Sequence, residues 1–466
     1  MYNAYVTRIK NLRKHPNADR LQLGECFGNT VCVSLEYADN QLGLYLPCDG
    51  QLSVEFAEAN NLLRKKDDAG NNCGGYMDPS KRNVTAIRLR GEKSDGLFLP
   101  LTCLESFGDV STLKEGDVIN TFNGHEICCK YIPRRNHRQG HVSDGNRTRK
   151  KKVDVAPLFA EHADTEQLAY NLGAFKPGDE IEITLKMHGT SQRTGYLPVF
   201  KGYKRTFKDW LFRRDGKPIY DWGYVSGTRR TVLEDYDGGY YGSNEFREQH
   251  SKTFEGKLWK GETVYYEVVG FTHTGAPIMA EGNNEKLGKD FVKQYGKTTV
   301  FSYGCDPEGE SFKHEYADCW DGMNVREFKP QSDIYVYRMT MTNEDGAIVE
   351  YTPDFMRYRC EQMGVKTVPV MWKGIIPAHT GDAAAIRLGQ DAGAWIKERA
   401  EQYYDGPDPI GKTHVREGVV VRILNRPKFT AYKHKNFSFK VLEGIIKDTA
   451  AAPDMEEAQE IEIEKE

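Results

Sequence analysis

Several absences narrow what this 466-residue sequence can be. No stretch approaches the roughly 18 consecutive apolar residues of a spanning helix, which excludes that kind of membrane protein. The opening stretch, MYNAYVTRIKNLRKHP, has no apolar run of the kind a secretory leader carries, so a soluble, cytoplasmic protein is expected. The ten cysteines form no CxxC pair and no Cys/His cluster at zinc-like spacing, which argues against a zinc module. Cys128 and Cys129 are adjacent and cannot make an ordinary structural bridge, so reduced thiols are expected. No excess of one charge exists either: 64 basic and 68 acidic residues give −4, and global charge points to no polyanionic partner. No internal repeat is apparent, and a monomer is expected.

What is present is unevenly placed. Residues 134–152 carry eight Lys/Arg and one acid, whereas residues 454–466 carry seven acids and one lysine. The length accommodates two or three domains with cores of their own. Residues 1–132 read as short strands separated by turns (4–9, 31–35, 41–46, 84–89 and 96–101), the spacing of a small barrel or sandwich. Residues 133–155 form a basic linker, whose charge fits either salt-sensitive affinity for a phosphate backbone or plain solubility. Residues 156–448 have longer strands interleaved with helices. Expected there are helices over 165–175, 353–363 and 392–404, and strands over 264–270, 334–341, 367–372 and 418–423. Residues 449–466 are an acidic tail without apolar periodicity.

The central stretch is IEITLKMHGTSQRTG, residues 181–195. An alternating strand runs into Lys186 and breaks at Gly189. A lysine at the mouth of a buried strand is placed to lose hydration and present a lone pair for attack. Gly189 allows a close backbone approach, and Thr190 and Ser191 offer hydroxyls at the same rim. Alone, the stretch reads equally well as a strand ending in a solvated lysine and a turn. Thr190, Ser191 and Arg193 likewise divide between bracing and function.

Four further polar clusters follow, each beside a strand. SGTRR bears Arg229 and Arg230, YEVVG carries Glu267, and EGVVV opens on Glu417. In YKHK, Lys433 and Lys435 stand two apart, which on a strand puts them on one face. A nucleophilic lysine, two separated carboxylates and a lysine pair suit nucleotidyl transfer. The first lysine attacks an α-phosphate, one carboxylate holds ribose hydroxyls, and the other helps place a divalent ion. The remaining cations offset charge growing on phosphate oxygens. Each residue also has an ordinary reading: Glu267 as a strand-end charge, Glu417 as a partner of Arg416 or Arg422, the lysines as an edge strand's surface.

The ordered set K-x-H-G-T-S, S-G-T-R-R, Y-E-V-V-G, E-G-V-V-V and K-x-K resembles the motifs of the covalent nucleotidyltransferases: DNA ligases, RNA ligases and capping enzymes. KMHGTS is similar to the nick-sealing RNA ligases of phage type. HPNADRLQL with IRLRGEKSDGLFLP resembles OB-fold domains of the tRNA-binding type. An OB module ahead of the ligase domain resembles the Deinococcus-type RNA ligase. The resemblance implies an α+β fold, with a ligase domain of ATP-grasp-like antiparallel sheets preceded by a small all-β OB-like domain. It further implies an ATP-dependent RNA ligase using Mg²⁺ or Mn²⁺ and acting on RNA, with nicks or broken duplexes the expected substrate. By matching position, Lys186 is the adenylylated nucleophile, and Glu267 binds ribose. Glu417 supports the metal, and Lys433 and Lys435 grip the α-phosphate. Arg229, with Arg230 as alternative, contacts the nucleotide or the RNA 5′-phosphate. His188 bonds the nucleotide or braces the turn.

The adenine-stacking aromatic in this family precedes an acidic residue, but SDIYVYRM has Arg338 there. The choice therefore stays between Tyr337 and Tyr335, which an unbroken strand would put on one face. In the OB-like region Arg88, Arg90 and Lys93 are either phosphate contacts or ordinary solvated charges. Residues 200–222 place seven Lys/Arg among seven aromatics, a composition that fits packing beneath a lid as well as RNA contact. A capping guanylyltransferase or DNA ligase would normally carry its OB domain after K-x-K, and only 31 residues follow Lys435. A noncatalytic RNA-binding protein would not need the lysine, both carboxylates and K-x-K together.

Overall fold

A computed structural model describes residues 2–66, 70, 73–132, 153–212, 216–233, 236, 244–272, 276–303, 332–377 and 392–448. The expected basic linker, apart from residues 153–155, and the acidic tail lie outside these residues. The fold is mixed α/β with mainly antiparallel sheets. The chain forms two compact units, one of Met1–Arg135, Gly282–Thr298 and Asn436–Pro453, the other of Asn136–Glu281, Thr299–Lys435 and Asp454–Glu466.

The first unit is mostly short strands. Leu97–Pro100, Leu42–Leu46, Ala4–Arg8 and Val118–Ile119 form a four-stranded antiparallel sheet in that order, and Lys10–Lys14, Leu21–Cys26 and Asn29–Ser34 form a meander. Alternation drives this: Ala4 and Val6 point inward against Leu44, Leu46 and Leu99, around a core that includes Leu52, Phe56 and Leu104. Ser53 caps the helix Val54–Ala59 by accepting from the Phe56 N–H at 3.0 Å. The chain returns to this unit as the helix Phe437–Asp448, which buries Phe437, Phe439, Val441 and Leu442. Arg88 and Lys93 lie over the Phe437 ring at 5.7 and 5.3 Å, so both have a packing role.

The second unit holds two larger sheets. One runs in the order Glu166–Gln167, Thr430–Lys435, Gly418–Ile423, Glu180–Leu185, Val370–Ile375. The other runs Lys217–Gly227, Thr190–Lys204, Glu262–Gly270, Ser332–Thr342, Ile348–Glu350, with Lys366–Thr367 alongside Ser332–Thr342. Ile181, Ile183, Val419, Val421 and Ile423 build the core of the first sheet with Ile396 of the helix Ala392–Glu401. The second packs Val264, Tyr266, Val268 and Val336 under the helix Pro353–Met363. That helix has the sequence marks of one: Thr352 accepts from the Phe355 N–H, Pro353 begins it, and Gly364 ends it in the left-handed region. Met356, Cys360 and Met363 share its buried face, and each methionine so buried stabilises by roughly 1.5–3 kcal/mol.

Two expectations fail. Residues 165–175 are not an α-helix: Glu166–Gln167 pairs in parallel with Thr430–Lys435, and two 3₁₀ turns follow. Asn171 and Gly173 are poor helix formers, and sheet pairing overrides the helical pattern. Residues 367–372 are not one strand. Pro369 cannot donate to a ladder, and the chain changes sheets there, from Lys366–Thr367 to Val370–Ile375.

Candidate active site

Lys186, Met187, His188 and Gly189 are the passage from one large sheet to the other, between the strands Glu180–Leu185 and Thr190–Lys204. Gly189 makes the passage possible: a Cβ there would stand 2.4 Å from the Val268 carbonyl oxygen. Arg247 secures the far side, donating to the Ser191 carbonyl at 3.0 Å and to the Thr190 hydroxyl at 2.5 Å. The second sheet change lies alongside, with the Leu185 N–H donating to Pro369 O at 2.9 Å.

Register then assembles the ionisable groups. Leu185 pairs with Val419 and Gly418 with Lys435, so Lys186, Glu417 and Lys435 emerge at the same end of three neighbouring strands. Lys186 N donates to the Gly418 carbonyl at 3.0 Å. Gly418 has a φ of +148°, and a Cβ on it would meet His434 O at 2.1 Å.

The Lys186 ammonium lies 2.7 Å from Glu417 Oε1, Lys435 reaches the same oxygen at 3.3 Å, and His188 Nδ1 faces Oε2 at 3.2 Å. Burial alone would push Glu417 up. The charges of Lys186 and Lys435 and the His188 contact outweigh it and hold the carboxyl well below the usual range. Glu417 is therefore an anionic anchor that orients the lysines, with little capacity to retain a proton. Lys433 sits two residues before Lys435 on the same strand, half-buried and opposite Val420.

Lys186 opens onto a cleft of about 860 Å³, open solvent at its mouth included. Glu267, Arg229 and Tyr337 line it; Tyr335 and Arg230 do not. Tyr337 stands at a β-bulge. Tyr265 pairs with Arg338 but Tyr266 with Val336, leaving Tyr337 outside the ladder. Its hydroxyl meets Ser191 Oγ at 2.9 Å, and burial, then the Glu267 charge, raises its pKa. Tyr335 is buried in the sheet with the Lys366 ammonium 5.7 Å from its ring centroid. Arg338, the departure from the family pattern, is engaged elsewhere: its guanidinium grips Glu350, with Nε donating at 3.0 and 3.1 Å.

His188 braces the site as well as facing Glu417. Its backbone N–H donates to the Tyr303 hydroxyl at 2.6 Å, and its ring meets Phe301 edge-on at 4.5 Å. Arg193 is a structural residue, 1% exposed, donating to Ala160 O and, at 3.1 Å, to Arg230 O, with Phe159 beneath it. It fixes the turn that presents Arg229. Arg229 lies 3.7 Å from Asp164 and Arg230 lies 3.2 Å from it.

Sequence reasoning missed His162, Asp164, Tyr303 and Arg247. None sits in a motif, and their roles depend on distant strands. Glu182, paired with Arg357 at 2.8 Å, and Arg422 also line the cleft. Arg422 donates to the Tyr351 carbonyl at 3.1 Å.

Among the described residues no group of three or more His, Cys, Asp or Glu is set to hold a metal ion. Both oxygens of Glu417, the carboxylate expected to support a metal, are engaged, Oε1 by Lys186 and Lys435 and Oε2 by His188.

No protein-family model matches the sequence, and no curated protein does. Solved structures do match. A Naegleria gruberi RNA ligase, as an arginine-to-alanine mutant with ATP and Mn, shares 15% identity at a TM-score of 0.52, covering 95% of this chain and 99% of that one. The same ligase with PPi gives 16% identity, a TM-score of 0.51 and coverage of 96% and 99%. A lysine-to-methionine mutant with AMP and Mn gives 14%, 0.51, 94% and 97%. The likeness is one of fold and runs through nearly the whole of both chains.

Proposed function

We propose that the chain is an ATP-dependent RNA ligase working through a lysyl-AMP intermediate. The observation that carries this reading is the convergence of Lys186 and Lys435 on one Glu417 oxygen beside the cleft, in a chain with the fold of an RNA ligase. In the first step the Lys186 ammonium gives up a proton to water, and its Nζ lone pair attacks the α-phosphorus of ATP. An N–P bond forms as the α–β P–O bond breaks, pyrophosphate leaves, and the amine's second proton passes to solvent. An RNA 5′-phosphate oxygen then displaces the lysine, giving a 5′–5′ adenylylated end. Finally an RNA 3′-hydroxyl attacks that 5′-phosphorus and AMP departs. A divalent ion, Mg²⁺ or Mn²⁺, when bound, would screen the phosphate charge. In this reading Tyr337 stacks on adenine, Glu267 holds the ribose, and Arg229 takes a phosphate. Lys433 and Lys435 draw charge off the α-phosphate. His188 holds Glu417 in place and does not itself bond the nucleotide. The N-terminal unit, as an OB-type module, binds RNA, and the enzyme acts as a cytoplasmic monomer in RNA repair at nicks.

The test mixes purified protein and Mg²⁺ with ATP labelled at its α-phosphate, with GTP in parallel, on a denaturing gel. Acid-labile label from ATP alone, absent in Lys186→Ala, supports the reading. Label from GTP would shift it to capping-type chemistry. No label from folded, AMP-free protein would leave a noncatalytic RNA-binding protein.

A further inference from the structure

The strands Thr190–Lys204 and Lys217–Gly227 pair antiparallel from Arg193–Gly227 at the site to Lys204–Lys217, with one bulge between Phe200 and Gly202. At about 3.3 Å per residue the 11-residue return strand spans roughly 35 Å. The base of this arm is packed: Leu197, Val199 and Val225 share a core with Ala156 and Phe159. The Phe200 N–H donates to Val155 O at 2.8 Å, and Tyr220 Oη to Asp154 O at 3.1 Å.

The tip is different. Between the strands stands a short helix, Phe207–Leu211, closed by a reciprocal cap between Thr206 and Asp209. Phe207 is 76%, Trp210 66% and Phe212 64% exposed, and the first two rings stack at 5.8 Å and 30°. Large aromatics so exposed on a capped turn are not core residues that failed to pack, and among the described residues none covers them. Lys204, Arg205 and Lys208 are exposed around them. Across residues 201–217 the sequence carries seven Lys/Arg and two acids, one of which, Asp209, is engaged in the cap.

We propose that this tip is an RNA-gripping surface, with Phe207 and Trp210 as a platform for bases and Lys204, Arg205 and Lys208 contacting phosphates, remote from the joining site. This deepens the ligase reading and rests on it. Stacked rings with interleaved cations are the pairing that single-stranded or frayed nucleic acid requires. A protein partner with an apolar face would gain nothing from the net positive charge, and a second copy of the arm would be repelled by it. The arm's return strand leads through Ser226 and Gly227 directly to Arg229 in the cleft. RNA held at the tip is thereby tethered to the reacting end.

The full-length protein is compared with Phe207→Ala/Trp210→Ala and Lys204→Glu/Lys208→Glu double variants, leaving the Thr206–Asp209 cap intact. Probes are a 5′-phosphorylated single-stranded RNA and a nicked RNA duplex, each in versions shorter and longer than the arm. Lysyl-AMP formation should stay within about twofold of wild type. RNA Kd and KM should rise roughly tenfold or more on long RNA with little change in kcat. The charge variant should flatten the slope of log K against log salt by about 1.5. Unchanged RNA Kd in both variants overturns the proposal, as does equal sensitivity of short and long RNA. It also fails if the aromatic variant alters oligomeric state with RNA affinity unaffected, because the surface would then belong to a second copy. Absence of lysyl-AMP in the wild type would instead overturn the ligase reading, and the binding data would still decide the tip.

Discussion

Lys186 and Lys435 share a single oxygen of Glu417, at 2.7 and 3.3 Å, so one buried carboxylate sets the position of two cations arriving from separate strands. Glu417→Ala should leave both cations in place without their counter-charge. Removing one partner of a buried pair typically costs about 3–5 kcal/mol, less here because the Lys186 side chain is 23% exposed. A chemical-denaturation series should show that loss. AMP transfer should fall at least about a hundredfold even in the better-folded Glu417→Gln, since the amide cannot hold both ammonium groups.

Gly189→Ala tests the passage between sheets. With backbone 2.4 Å from the new Cβ, the chain must shift at a point three residues from Lys186. A destabilisation of about 1–3 kcal/mol is expected. Lysyl-AMP formation should be reduced by more than that stability loss explains, as measured on protein still fully folded by circular dichroism.

The two tyrosines of SDIYVYRM should separate cleanly. Tyr337→Ala removes a ring from the cleft and should raise KM for ATP by about tenfold, in line with an aromatic contact of about 1–1.5 kcal/mol. Tyr337→Phe, which loses only the Ser191 hydrogen bond, should stay within about threefold. Tyr335→Phe should leave KM unchanged. A Tyr335→Ala variant that raised KM for ATP as much as Tyr337→Ala does would overturn the assignment of Tyr337 as the cleft aromatic.

Of the adjacent arginines, Arg229 faces the cleft and Arg230 does not. Arg229→Ala should depress joining by at least about thirtyfold and Arg230→Ala by less than about fivefold. A single-turnover assay with pre-adenylylated enzyme places the defect before or after AMP transfer.

Stability should fall on mild acidification. Burial pulls His162 down to about 3, aided by the Arg229 and Arg338 charges, and burial pulls His250 down to about 4. Between those values and about 6.5 the unfolded chain binds protons that the folded one refuses, so stability drops as pH falls. Each histidine contributes at most about 1.4 kcal/mol per pH unit. Thermal melts from pH 6.5 to 5 should show the decline, and His250→Gln should make it shallower. A slope unaltered by that change would place the titrating group elsewhere.

Part of the candidate site was legible because several of its residues interrupt apolar strands or end them. Lys186 and Glu417 stand where apolar runs stop, and alternation together with glycine is enough to find such places; Glu267 instead lies inside the strand Glu262–Gly270, where a lone carboxylate within an apolar run is the signal. The helix Pro353–Met363 was equally legible, through its threonine cap, leading proline and closing glycine. The bulge at Tyr337 was not, because an added residue in a ladder leaves no mark in a pattern of alternating β-formers. Nor was His162, whose backbone N–H donates to Arg229 O at 3.0 Å and whose ring stands edge-on to Tyr337. Contacts between remote segments have no local spacing to read. The false helix over 165–175 fails for the same reason: its residues answer to a strand more than 250 positions downstream.

The return of Asn436–Pro453 to the first unit has a consequence for the order of events on the ribosome. That unit begins with the first residues made, yet the helix carrying Phe439 and Leu442 emerges immediately after Lys435, when the second unit's last strand has already been translated. Until then Gly282, whose Cβ position lies 2.2 Å from a Leu442 methyl, lacks its covering side chain. The N-terminal unit therefore cannot finish first, although it is synthesised first. A nascent chain arrested before residue 436 should remain protease-sensitive in its opening 135 residues, and release of the final helix should close that unit.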